Sequence, residues 1–128
     1  MEPVEQPGTF QEISQLIWEH ARARGWHHNP PRGLAISIAL EASELLEHYQ
    51  WGDQSVGSKE DLAAELADIF IYAFEFAQAE GIAIDAAIRQ KLAASAKKYP
   101  AENFQHKTPA ENHQAWLDAK LHHKKKNL

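Results

Sequence analysis

A chain of 128 residues, 44% hydrophobic and 24% charged, has the composition of a soluble globular protein and the length of one domain with a genuine core. The net charge of −5 argues against a general nucleic-acid binder, and the lack of cysteine excludes disulfides and thiolate metal sites. The opening MEPVEQPGTFQEI has no basic start leading into an apolar run, and no apolar run approaches the roughly 20 residues that span a bilayer; a cytoplasmic protein with no membrane partner is expected.

Residues 1–8 read as a loose lead-in. Thr9 and Glu12 form a capping box for a first helix, which Gly25 ends. The segment WHHNPPRG, residues 26–33, reads as a loop because Pro30 and Pro31 oppose regular helix. A second helix is expected over residues 34–51, closed by Gly52. Ser58 and Asp61 open a third, which runs to about Glu80 before Gly81. Asp85 caps a fourth that ends near Tyr99 and Pro100. Thr108, Pro109 and Glu111 signal a short fifth helix, followed by a tail, HHKKKNL, expected to be disordered and solvated. No segment alternates with period two. The expected fold is all-α: an antiparallel bundle of four main helices plus a short C-terminal helix. It forms one domain over residues 1–128, with its core at about 9–100 and a C-terminal extension and basic tail at 101–128.

The chemistry sits on the second and third helices. Glu41 and Glu44 form one pair of carboxylates three residues apart, Glu65 and Asp68 another, so each pair shares a helix face. On ideal wheels Leu34, Ile38, Ala42, Leu45 and Tyr49 make the apolar stripe of the second helix. Leu62, Leu66, Ile69, Ala73 and Phe76 make that of the third. Glu41 falls inside its stripe, and Glu65, Asp68 and Tyr72 run along the flank of theirs. Converging carboxylates repel one another unless a hard cation lies between them, and an oxygen-only set suits Mg²⁺, with Mn²⁺ able to substitute. The plain alternative is that such pairs are solvated surface, as is expected here of Glu47 and Glu75. The third helix also has apolar residues outside its core stripe, at Ala67, Ile71 and Phe74, which predicts an oligomer interface. The alternative is the central helix of a monomeric bundle.

With these residues in view, the chain resembles the MazG-like superfamily of all-α nucleoside triphosphate pyrophosphohydrolases, and within it the small dCTP pyrophosphatase type. RARGW (residues 22–26), PRGLAISIALEASELLEHYQW (31–51), ELADIFIYA (65–73) and KLAASAKKYP (91–100) carry the resemblance. It implies Glu41, Glu44, Glu65 and Asp68 as magnesium ligands, and Trp26, Trp51 and Tyr72 around the base. Lys91, Lys98 and Tyr99 would lie near the phosphates. It also implies a homodimer, or a homotetramer built as a dimer of dimers, with shared sites. Two departures bear on base preference more than on metal binding. Asn29 stands where relatives usually carry His, in a segment followed by a loop one residue shorter, and Ser95 stands where they carry Asn.

The expected reaction is magnesium-dependent hydrolysis of a nucleoside triphosphate to monophosphate and pyrophosphate, a house-cleaning activity on the nucleotide pool. dCTP or a modified pyrimidine deoxynucleotide is the first candidate substrate. Such chemistry needs charge neutralisation and an oriented water rather than a covalent intermediate. Glu41 or Glu44 is the candidate base, and Arg32 with Lys91 or Lys98 supplies positive charge. Two other classes stay open: a non-catalytic helical interaction module, and a carboxylate-bridged di-metal bundle. The second would require Glu-x-x-His pairs, whereas the fourth positions here are Glu44 and Asp68. Trp51 also has a second reading, as an apolar plug at a helix end.

Overall fold

Thr9 sets the first helix: its hydroxyl oxygen accepts the Glu12 amide at 3.2 Å and releases the chain into α1 (Phe10–Ala23). The structure, a computed structural model, describes residues 8–126, with Lys126 by its backbone alone. Of the expected lead-in only Gly8 falls within that range, and Asn127 and Leu128 of the tail lie outside the described residues. After α1, Gly25 takes a left-handed φ of 73° that suits glycine, and a 3-10 turn spans Trp26–His28. Helix α2 covers Pro31–Glu47. It begins three residues earlier than expected because a proline at the first helical position gives up only an amide that would be unpaired anyway.

Ser58 and Asp61 form the expected capping box, with reciprocal bonds of 3.1 and 2.9 Å, and α3 follows over Lys59–Glu80. Gly81 ends it with φ 66°. Helix α4 runs Ile84–Lys98, so Asp85 lies in its first turn rather than capping it. A 3-10 turn at Ala101–Asn103 leads to α5 (Pro109–Lys126), opened by reciprocal Thr108–Glu111 bonds of 3.2 and 3.1 Å. Helix α5 has 18 residues and takes in His122, His123 and Lys124 to Lys126, so the expectation of a short helix with a disordered tail is corrected. Cations gathered at its C-terminal end suit the helix dipole. Among the described residues there is no strand, and the fold is all-α. No helix of these residues is long and apolar enough to cross a membrane.

The chain divides into two compact units, Met1–Ile84 and Asp85–Leu128. In the first, α2 packs along α3 and α1 also packs on α3. His48 meets Glu65, whereas Glu41, earlier on α2, lies in the field of Asp68 and Tyr72, later on α3; the two helices are therefore antiparallel. Phe10 meets Phe74 with ring centroids 4.8 Å apart, and Ser14 bonds to Gln78, so α1 and α3 run in the same direction. Ala21, Leu34, Phe74 and Ala77 are buried.

This overturns part of the wheel reading. Phe74, assigned to an oligomer face, is 6% exposed inside the first unit, whereas Leu66, assigned to the core, is 49% exposed. The reason is that α3 serves two neighbours, with one face turned to α2 and another to α1. The large apolar side chains left uncovered on α2 and α3 include Leu46, Leu66 and Phe70. In the second unit Tyr99 holds the elements together, stacked on Trp116 with centroids 6.5 Å apart and edge-on to Phe104 at 5.9 Å.

Candidate metal site

The antiparallel register brings carboxylates of α2 onto carboxylates of α3. Oxygen atoms of Glu41, Glu44 and Glu65 all lie within 4.8 Å of one another. Glu41 and Glu65 are half-buried and Glu44 is exposed. Oε2 of Glu41 is a buried oxygen with no hydrogen-bond partner among the described residues. A buried acceptor left unpaired is costly, and here its neighbours are also acidic. The donor set is oxygen-only and anionic, which fits a hard divalent cation.

Electrostatics carry the same message. Desolvation holds the Glu41 carboxyl above its usual range, helped by the adjacent Glu44 side chain and by the charges of Glu44, Asp68 and Glu65. Glu65 is raised in the same way, first by desolvation and then by Glu44, with His48 pulling it down. The metal-free cluster therefore favours protonated carboxyls.

Asp68 stands outside the tight triad, yet its charge acts on Glu41 and it lines the adjoining cavity. That cavity, about 600 Å³, is also lined by Leu16, Ile17, His20, Trp26, Asn29, Ile71, Tyr72 and Glu75. Three residues assigned to a substrate from sequence, Trp26, Asn29 and Tyr72, thus share one hollow beside the carboxylates. The Tyr72 hydroxyl is raised by desolvation and then by Glu41, Glu75, Asp68 and Glu44, so it lies in the field of both groups. Trp26 presents its ring edge-on to His20, centroids 5.9 Å apart, with the Arg24 guanidinium 5.9 Å over it. Arg32, in the first turn of α2, is exposed and outside the cavity lining. Trp51 is 85% exposed in the loop between α2 and α3. Lys91, Ser95, Lys98 and Tyr99 belong to the second unit.

Two residues are added by the structure. His48 places Nε2 3.6 Å from Oε1 of Glu65; it sits four residues after Glu44, so its shared helix face was a readable signal. Glu75, expected to be solvated, lines the cavity, and burial raises its carboxyl against the opposing pull of His20. Glu47 is exposed as expected.

His48 is itself fixed. Its carbonyl accepts the Val56 amide at 2.9 Å, and its ring packs so closely on Gly57 that a Cβ there would overlap the imidazole. Gly57→Ala should push His48 away from Glu65 and weaken divalent cation binding by about 10–100-fold, the usual effect of losing a partner that orients a ligand. Thermal-shift titration with Mg²⁺ measures this, and an unchanged midpoint would contradict it.

Residues 36–110 match the model of the MazG-like family. dCTP pyrophosphatase 1 of Homo sapiens is 30% identical over 102 residues, which cover 73% of this chain and 60% of that protein. dCTP pyrophosphatase 1 of Rattus norvegicus is 31% identical over 101 residues, covering 72% and 59%. The chain thus spans about 60% of the length of the curated relatives it matches. Among solved structures, a pyrophosphatase from Archaeoglobus fulgidus DSM 4304 superposes with a TM-score of 0.61 at 26% identity, covering 77% of this chain and 99% of that one.

Proposed function

From its place in the MazG-like family, to which this chain belongs, we propose that it is a divalent-metal-dependent nucleoside triphosphate pyrophosphohydrolase. The observation that carries this reading is the unpaired buried oxygen of Glu41 among the carboxylates of Glu44 and Glu65. Mg²⁺ is the proposed metal, with Mn²⁺ as substitute, held by Glu41, Glu44 and Glu65 with Asp68 at the cavity side. When bound, the ion neutralises phosphate charge at the scissile anhydride.

The remaining work falls to the protein. Trp26 offers a ring face on which any base can stack, worth about 1–3 kcal/mol, and Tyr72 and Asn29 offer hydrogen-bonding groups that discriminate among bases. Glu41 or Glu44 holds the proton of the attacking water. A carboxyl raised toward neutrality is the better base, which favours Glu41. Glu75 and His20 also line this cavity.

The proposed substrate is dCTP or a modified pyrimidine deoxynucleotide. This is supported by the similarity to dCTP pyrophosphatase 1 and implies work on the cytoplasmic nucleotide pool. Pyrophosphate release across canonical and modified triphosphates tests it; consistent preference for purines would overturn the substrate assignment. A homodimer, or a tetramer as a dimer of dimers, is proposed as well. The uncovered Leu46, Leu66 and Phe70 support it, because soluble monomers rarely leave such patches in water. A fully active monomer in sedimentation at low micromolar concentration would refute it.

A further inference from the structure

The charge of the chain is divided unevenly. The first unit holds 4 of the 13 Lys and Arg and 14 of the 18 Asp and Glu; the second holds the other 9 and 4, giving formal charges of −10 and +5. Within the basic unit the structure forms a cavity of about 780 Å³. Every residue lining it lies between α4 and the end of α5. Its charged and polar lining is Lys97, Lys98, Lys107, His122, His123 and Asn103, against one carboxylate, Asp118. That carboxylate is engaged by the Gln114 amide, which donates to it at 2.9 Å.

Among the described residues neither Lys97 nor Lys107 forms an ion pair. Phe104 and the alanines of both helices add apolar lining, so an anion entering the hollow would meet several ammonium groups beside a partly apolar surface. Tyr99 stacks on Trp116 beside the hollow, and Lys98 of the lining and one further cation, Lys120, lie over those rings. Lys98 is 5.2 Å from the Tyr99 centroid and Lys120 is 4.6 Å from that of Trp116. Ala115, Asp118, Ala119, His122 and His123 lie beyond residues 36–110, so five of the twelve lining residues belong to chain outside the part that matches the family.

We propose that the hollow between α4 and α5 binds a small oligophosphate anion, such as pyrophosphate or tripolyphosphate, using none of the carboxylate-cluster residues. Several ammonium groups converging on a concave, ligand-sized space suit a compact anion bearing several charges. An extended nucleic-acid strand fits less well, since it needs a long basic track rather than a compact hollow. The proposal does not rest on the pyrophosphohydrolase reading.

Isothermal titration of the full chain with inorganic tripolyphosphate, at low salt and with EDTA present, tests it without the metal-dependent site. The expected result is one binding event per chain that weakens with added salt. Affinity should fall about tenfold or more in the Lys97→Ala, Lys107→Ala, His122→Ala triple variant, the scale of losing charged hydrogen bonds, and stay unchanged in Glu41→Gln. Lys107→Glu alone, at an exposed position before α5, gives the same loss with an unaltered helical circular-dichroism spectrum. No binding, equal binding by wild type and these variants, loss of binding in Glu41→Gln, or tighter binding of a single-stranded oligodeoxynucleotide would each overturn the proposal.

Discussion

Replacing Glu41 with glutamine is expected to cut pyrophosphate release by about 10³-fold, the scale of losing a group that stabilises developing charge, while raising the melting temperature of the metal-free protein. Both effects have one source. Glu41 and Glu65 are held above their ordinary value of 4.5 in the fold, so the native state binds more protons than the unfolded chain just above that pH. Stability therefore falls as pH rises through their folded pKa values. Asp61 and Glu111 act in the opposite sense. Their capping bonds to Ser58 and Thr108 lower them, so they stabilise above their ordinary values and lose that contribution as pH falls through the depressed ones. Glutamine at position 41 removes one repelled charge, and the variant's melting temperature in EDTA should vary less with pH between 5 and 7. Mg²⁺ should stabilise wild type by mass action and the variant far less. A variant less stable than wild type across that range, or one equally stabilised by Mg²⁺, would contradict the repulsion argument.

Phe74→Glu should unfold the first unit rather than merely dissociate an assembly. Phe74 is 6% exposed and its ring lies 4.8 Å from that of Phe10. Removing a buried phenylalanine costs about 3–5 kcal/mol, and leaving an unpaired carboxylate in its place adds a desolvation penalty. Together these approach the whole stability of a small domain. Phe74→Leu, which keeps an apolar side chain there, should cost only about 1–2 kcal/mol. Phe70→Glu, at a position 54% exposed, should keep the helical spectrum while shifting sedimentation toward monomer. Urea denaturation followed by circular dichroism separates these cases; a cooperative, near-wild-type transition in Phe74→Glu would show that the side chain is not part of the core.

The starts of α1, α3 and α5 were legible because their signals are local, whereas Pro31 opened α2 early and Asp85 fell inside α4 instead of capping it. Thr9, Ser58 and Thr108 cap through bonds to residues three positions on, and Gly25 and Gly81 supply the left-handed turns. The end of α2 was not, since Gly52 is a stop signal in sequence, yet the helix yields at Glu47 and the His48 carbonyl instead holds Val56. The length of α5 was missed because it has no apolar stripe to betray it, only good helix formers and terminal cations. The faces of α3 failed for a different reason. One wheel assumes one partner, and α3 has two, so Phe74 went to the outside and Leu66 to the inside. The carboxylate cluster could be read because Glu41 interrupts the apolar stripe of α2 and Glu65 runs along the flank of that of α3. The burial of Glu75 is set by a cavity that only the packing of α1 and α3 creates.

The most direct measurement is ³¹P NMR of dCTP incubated with the protein and Mg²⁺. The expected spectra gain pyrophosphate and dCMP signals in equal amounts, at a rate abolished by EDTA and by Glu41→Gln. Appearance of dCDP with orthophosphate, or turnover that persists in EDTA, would contradict the assignment of the Glu41–Glu44–Glu65 cluster to metal-dependent pyrophosphate release.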